Sequence, residues 1–221
     1  MAFTSQIIRK ILYTGDYSLH STALTGGCVL PEGLEVDTLI MCGLHAKHPY
    51  YRHHSDTLYT YINTILHYSE RGELVTCHAP QLSKGVEFVK ILNTFNTAHI
   101  PIFIDDEIMN IIRIMERLGE PILTSDNHVF SELTQRKNSG IIVTLRGQRT
   151  AENCFNIDFS LHEDFDEMRD FIRLVNPRLA VIVHCAKARN YYDENIEQII
   201  IKDTDCRTQV IFAEDGEIYT L

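Results

Sequence analysis

The chain has 221 residues, 44% of them hydrophobic, and its 30 acidic against 20 basic side chains give a formal net charge of −10. This length and apolar share suffice for one substantial α/β core or for two small lobes sharing an interface. The acidic balance excludes broad coating of nucleic acid by charge alone, while leaving room for a local basic groove.

In chain order, the apolar runs at 10–14 and 36–41 end in turn or polar residues and read as buried strands. From Asp56 to Tyr68, Leu58, Tyr61, Ile62 and Ile65 recur at helical spacing, and Arg71 with Gly72 ends that helix. A short strand follows at 73–77, and Val86, Phe88, Val89, Ile91 and Leu92 mark the apolar side of the next helix. Ile100 to Ile104 is again a strand, with Pro101 tolerable near its start. The residues from Glu107 to Leu118 return to the helical period. Strands are expected at 141–145 and 156–159, a helix at 165–174 capped by Ser160, and a strand at 178–183. Two closing strands, at 208–212 and 218–221, flank the turn at Gly216. Strands alternating with helices imply βα units and largely parallel pairing.

No apolar stretch approaches the roughly 20 residues of a membrane helix, and the N-terminus lacks a signal-peptide core, so a cytoplasmic location without membrane contact is expected. The six cysteines have no CxxC spacing and read as reduced core thiols.

Chemistry concentrates near the end of the chain. His162 lies on the loop that opens a helix, and His184 lies at the tip of the apolar strand Leu179 to Val183. That order allows two imidazoles to converge on one phosphate or metal. A second set follows the strand ends: Cys42, His45 and His48 after one strand, Cys77 and His78 after another, His184 and Cys185 after a third. Side chains at the carboxyl ends of parallel strands meet in a crevice, so a mononuclear cysteine–histidine site is conceivable there. Lys47, Tyr51, Arg52 and His54, together with Lys84, mix basic and aromatic side chains as nucleic-acid contacts do.

Taken in order, four blocks resemble the β-CASP branch of the metallo-β-lactamase superfamily, whose members are mainly RNA-processing nucleases. Residues 11–18 (ILYTGDYS) are similar to the strand ending in the threonine-glycine-aspartate turn, and residues 35–42 (EVDTLIMC) to the strand that follows. Residues 72–76, 86–92 and 100–105 resemble the start of the inserted cassette, and residues 158–164 (DFSLHED) with 181–184 (VIVH) resemble the two late histidine motifs. The resemblance implies an α/β protein with a truncated metallo-β-lactamase-like sheet lobe, at 1–50 and 150–221, and an inserted β-CASP-like parallel lobe at 51–149. It implies inherited metal-ligand positions at Asp16 and His184, and a proton-donor position at His162 with Asp164 close by. Cys42 stands where the family has a carboxylate that tunes that histidine, and cysteine is a poor substitute. The histidine-rich HxHxDH loop, the source of most zinc ligands in the family, is missing from the sequence.

Two metals need more donors than Asp16 and His184 supply, so no cofactor is expected on this chain alone and zinc only if a partner completes the site. Without the layer carrying HxHxDH, apolar strands near Leu12, Leu39 and Val181 are expected to expose a face that a second copy or another protein covers. The expected function is a degenerate, non-hydrolytic binding or assembly subunit linked to RNA or single-stranded nucleic acid. A split nuclease completed by a partner chain is one alternative, and an unrelated α/β binding domain is another.

Overall fold

The computed structural model describes residues 9–47, 55–123, 128–131, 138–147, 153–157, 159–185 and 208–219. It is an α/β structure of nine strands and four helices among those residues, divided into two units. The first unit comprises 1–21, 27–53 and 161–221, and the second 22–26 and 54–160.

In the first unit, β1 (Ile11–Tyr13), β2 (Thr38–Cys42), β8 (Leu179–Val183) and β9 (Gln209–Phe212) form an all-parallel sheet in the order β1-β2-β8-β9. Sequence order runs one way across this sheet, and right-handed crossovers between strands stepped in one direction gather on a single face. That face carries Leu39, Met41, Ala180, Ile182 and Val210, packed with Phe165, Met168, Phe171, Ile172 and Val175 of α4 (Phe165–Val175). Leu19, Leu30 and Val36 of the β1–β2 connection join the same cluster, and the Tyr17 ring lies 4.6 Å from that of Phe171. Strand alternation thus sends Leu12 and Leu39 into this core rather than onto the open face the sequence suggested. Val181 points the other way and is itself buried; on that second face the edge residues Ile11 and Tyr13 are exposed.

The helix α4 starts at Phe165 as expected, but its cap is Asp164, not Ser160. Asp164 Oδ1 accepts the Glu167 N–H at 2.9 Å while Glu167 Oε2 accepts the Asp164 N–H at 2.9 Å, a reciprocal cap. Asn176 closes the helix in the left-handed conformation.

The second unit holds a five-stranded parallel sheet in the order β5-β4-β6-β3-β7, made of β3 (Leu74–His78), β4 (Ile102–Ile104), β5 (Val129–Ser131), β6 (Gly140–Thr144) and β7 (Cys154–Asn156). Its helices are α1 (Ser55–Glu70), α2 (Leu82–Phe95) and α3 (Asp106–Arg117). Fully buried Val75, Phe88, Leu92, Ile102, Ile104, Ile108, Ile112 and Ile141 supply its core. Buried Glu87 of α2 accepts hydrogen bonds from Thr22 Oγ1 at 3.1 Å and from the Ala23 N–H, which ties 22–26 to this unit.

Three expectations shift. The strand expected at 156–159 lies at Cys154–Asn156 and pairs with β3, so the second unit extends to 160 instead of stopping at 149. The short strand β5 was not expected, because three residues give too little periodicity to see. Ile218 and Tyr219 are not in a strand, and 220–221 lie outside the described residues.

Cysteine chemistry follows burial. Cys28 is exposed, whereas Cys77 is fully buried on β3 and its thiol is pushed well above its ordinary pKa, mainly by desolvation. Brief iodoacetamide treatment of the native protein, followed by peptide mapping, is expected to label Cys28 and to spare Cys77 until the chain is unfolded. Equal native labelling of both would contradict this core.

Candidate functional site

Four segments of the first unit end at the carboxyl edge of its sheet. β1 stops at Tyr13, where Thr14 keeps the register by donating its N–H to the Ile40 carbonyl at 3.0 Å. Gly15 then turns with φ of +61°, a conformation that favours glycine, and delivers Asp16. Thr14 Oγ1 accepts the Cys42 N–H at 3.3 Å, joining the ends of β1 and β2. Gly43 follows, its N–H donating to the Val183 carbonyl at 2.9 Å. A Cβ at Gly43 would lie 2.1 Å from Ile182 Cγ2, so only glycine allows this close approach beside Cys42. His184 follows β8 with φ of +58°, unusual for a residue with a Cβ.

The fourth segment is 161–164, zipped to the first by the Glu163 N–H donating to the Tyr17 carbonyl at 2.9 Å. Glu167 reinforces the same junction. Its Oε1 accepts Leu19 N–H at 2.7 Å, His20 N–H at 3.0 Å and Ser18 Oγ at 2.9 Å. The loop bearing Asp16 is therefore fastened to the first turn of α4.

Asp16, Cys42, His162 and His184 meet there. Cys42 Sγ lies 3.5 Å from His184 Nδ1, His184 Nδ1 lies 3.6 Å from Asp16 Oδ1, and His162 Nδ1 lies 3.9 Å from Asp16 Oδ1. One ligand atom each from Asp16, Cys42 and His162 falls within 4.8 Å of the other two. The two imidazole centroids are 6.2 Å apart, edge to face. Cys42 is buried at the base, while the side chains of Asp16 and His184 are 64% and 59% exposed, so the group opens to solvent on one side.

This arrangement is not a nucleophile relay. A cysteine–histidine–aspartate relay needs the thiol on one ring nitrogen and the carboxylate on the other; here both face the same Nδ1 of His184. The Cys42 thiol is also pushed up to about 12, chiefly by burial and then by the Glu163 charge, the reverse of what activates a cysteine. Several donors crowding one point is the layout of ligands around a common cation. A thiol, two imidazoles and a carboxylate are zinc-type donors, and their number suits one ion.

Glu163 is the residue that sequence reasoning passed over. Its carboxyl is buried, accepts the Leu44 N–H at 2.8 Å, and lies against the Cys42 thiol. Desolvation pushes its pKa up to about 7 against the lowering effect of these hydrogen bonds. The available signal was an acidic residue directly after His162, ahead of a helix cap that already has its own acid.

The other expected residues fare differently. Asp164 caps α4 with its carboxylate, a structural task. His45 sits in the turn after β2. Cys77 and His78 belong to the sheet of the second unit, where His78 Nε2 is 3.2 Å from the Leu145 carbonyl. Cys185, half-buried, has its thiol raised to about 11 mainly by burial. Lys47 lies 5.6 Å from the centroid of the Phe212 ring in the first unit, and Lys84 lies 6.0 Å from that of Phe159 in the second. His48, Tyr51, Arg52 and His54 lie outside the described residues.

Two outcomes follow from this wiring. Glu167→Ala removes the acceptor shared by the Asp16 loop and the α4 cap, and is expected to cost about 2–4 kcal/mol in denaturant unfolding; a loss below the error of the measurement would contradict the fastening role. Glu163 has a folded pKa raised from 4.5 to about 7, so its stabilising contribution is complete below about 4.5 and is lost as pH rises through about 7. In chelator-treated protein, Glu163→Gln keeps the acceptor for Leu44 and is expected to gain about 1–3 kcal/mol relative to the parent between pH 5 and pH 8. A difference that does not change with pH would remove the buried carboxyl from this account.

No protein-family model matches the chain, and no curated protein matches it. Among solved structures it is similar to a protein of unknown function from Enterococcus faecalis V583, with a TM-score of 0.56 and 14% sequence identity, over 94% of this chain and 57% of that one. The chain thus spans a little over half the length of that neighbour, and at this identity the likeness shows the α/β fold alone.

Proposed function

We propose that this chain is a degenerate relative of the β-CASP nucleases, non-hydrolytic by itself, that works in the cytoplasm as a binding or assembly subunit for the processing of RNA or other single-stranded nucleic acid. The supporting observation is the meeting of Asp16, His162 and His184 from three separate stretches at one sheet edge, beside a cysteine. Those are the positions the family resemblance marks for metal and proton transfer, and Cys42 takes the place of the carboxylate that would tune His162. The donor set suits one ion, whereas two-metal phosphodiester hydrolysis needs a clamp on both the attacking and the leaving oxygen.

A split nuclease is the second reading. What favours it is the exposure of Asp16 and His184, which leaves that side of the group accessible to donors from another polypeptide. In either case a partner protein or second copy joins the chain, and among the described residues no helix is long and apolar enough to cross a membrane.

The test is direct. Purified chain incubated with labelled single-stranded RNA and zinc or manganese is expected to leave the RNA intact while retarding it in a native gel. Cleavage that disappears in His162→Ala would defeat the non-hydrolytic reading. Neither cleavage nor retardation, at micromolar protein and low salt, would remove the nucleic-acid assignment.

A further inference from the structure

We propose that the chain by itself holds one zinc-class ion in a thiolate-containing shell made of Cys42, Asp16, His184 and His162. This deepens the proposed function by naming the ion, the stoichiometry and the ligand that sets this site apart from a two-metal hydrolase. It rests on the geometry of those four side chains.

A tetrahedral zinc site with metal–sulfur bonds of about 2.3 Å and metal–nitrogen or metal–oxygen bonds of about 2.0–2.1 Å has ligand-to-ligand edges of roughly 3.3–3.6 Å. The edges found are 3.5 Å for Cys42 Sγ to His184 Nδ1, 3.6 Å for His184 Nδ1 to Asp16 Oδ1, and 3.9 Å for His162 Nδ1 to Asp16 Oδ1. Asp16, Cys42 and His162 each place one ligand atom within 4.8 Å of the other two, and His184 brings Nδ1 beside Cys42 and Asp16, just past the paired ends of β2 and β8.

Chemistry selects the ion. Oxygen-seeking magnesium and calcium do not take sulfur, whereas thiolate with imidazole suits zinc, and cobalt(II) reports the same geometry. As the metal–sulfur bond forms, the thiol proton of Cys42 leaves to solvent and the sulfur contributes its lone pair. Four protein donors then fill a tetrahedral shell, which leaves no open position for a hydrolytic water.

Cobalt(II) alone is the probe, added to chelator-treated, reduced full-length chain. Saturation at one equivalent is expected, with a near-ultraviolet thiolate-to-cobalt charge-transfer band and intense visible bands of a tetrahedral ion. Cys42→Ser is expected to abolish the charge-transfer band. His184→Gln, at an exposed position that leaves the far-ultraviolet dichroism unchanged, is expected to weaken cobalt binding at least tenfold, so the test survives even if the cysteine variant fails to fold. Bound cobalt without the sulfur band, saturation at two equivalents, or unchanged affinity in His184→Gln overturns the inference. An absent sulfur band leaves the proposed function standing, whereas RNA cleavage by the chain would overturn that function with the band intact.

Discussion

The hydrogen bonds that stitch four chain segments together at the carboxyl edge of the first sheet underlie everything chemical in this protein. Cys42 N–H to Thr14, Gly43 N–H to Val183 and Glu163 N–H to Tyr17 hold residues that are up to 168 positions apart in sequence within a few ångströms. Parallel strands aligned in register bring their ends to one rim, which is why ligand sites in open α/β sheets gather there. Glu167 adds a second layer of control, because one buried carboxylate both caps α4 and gathers the N–H groups beyond Asp16. The position of an exposed aspartate thus depends on a helix it does not belong to.

Much of the architecture was legible in the sequence, for physical reasons that differ by element. Thr38–Cys42 and Leu179–Val183 are central strands of a parallel sheet, buried along most of their length, and their continuous apolar runs show it. The helix Phe165–Val175 was visible from its apolar stripe and starts where expected, but its cap was misplaced. An Asp followed three positions later by Glu marks the reciprocal cap, and this signal outranked Ser160 four residues earlier. Cys154–Asn156 pairs across the chain with β3, a long-range event that local periodicity does not encode.

The site was partly legible. Two histidines placed before a helix and after a buried strand implied convergence, and their rings stand 6.2 Å apart. Cys42 meets His184 because their strands pair, whereas Cys77 and His78 follow a strand of the other sheet, a pairing that local sequence does not encode. Glu163 was hidden because burial of a carboxyl has no sequence signature when the residue sits in a polar run. Its presence behind Cys42 places an acidic group beside the thiol, which with burial makes the thiol hold its proton more firmly.

The proposed site is a single sulfur-ligated ion site rather than the remains of a working two-metal centre. Zinc-edge X-ray absorption on the zinc-loaded chain tests it most directly. One sulfur scatterer at about 2.3 Å with nitrogen or oxygen at about 2.0–2.1 Å is the predicted shell. A shell without sulfur, or a metal–metal vector at about 3.5–4 Å, would contradict it.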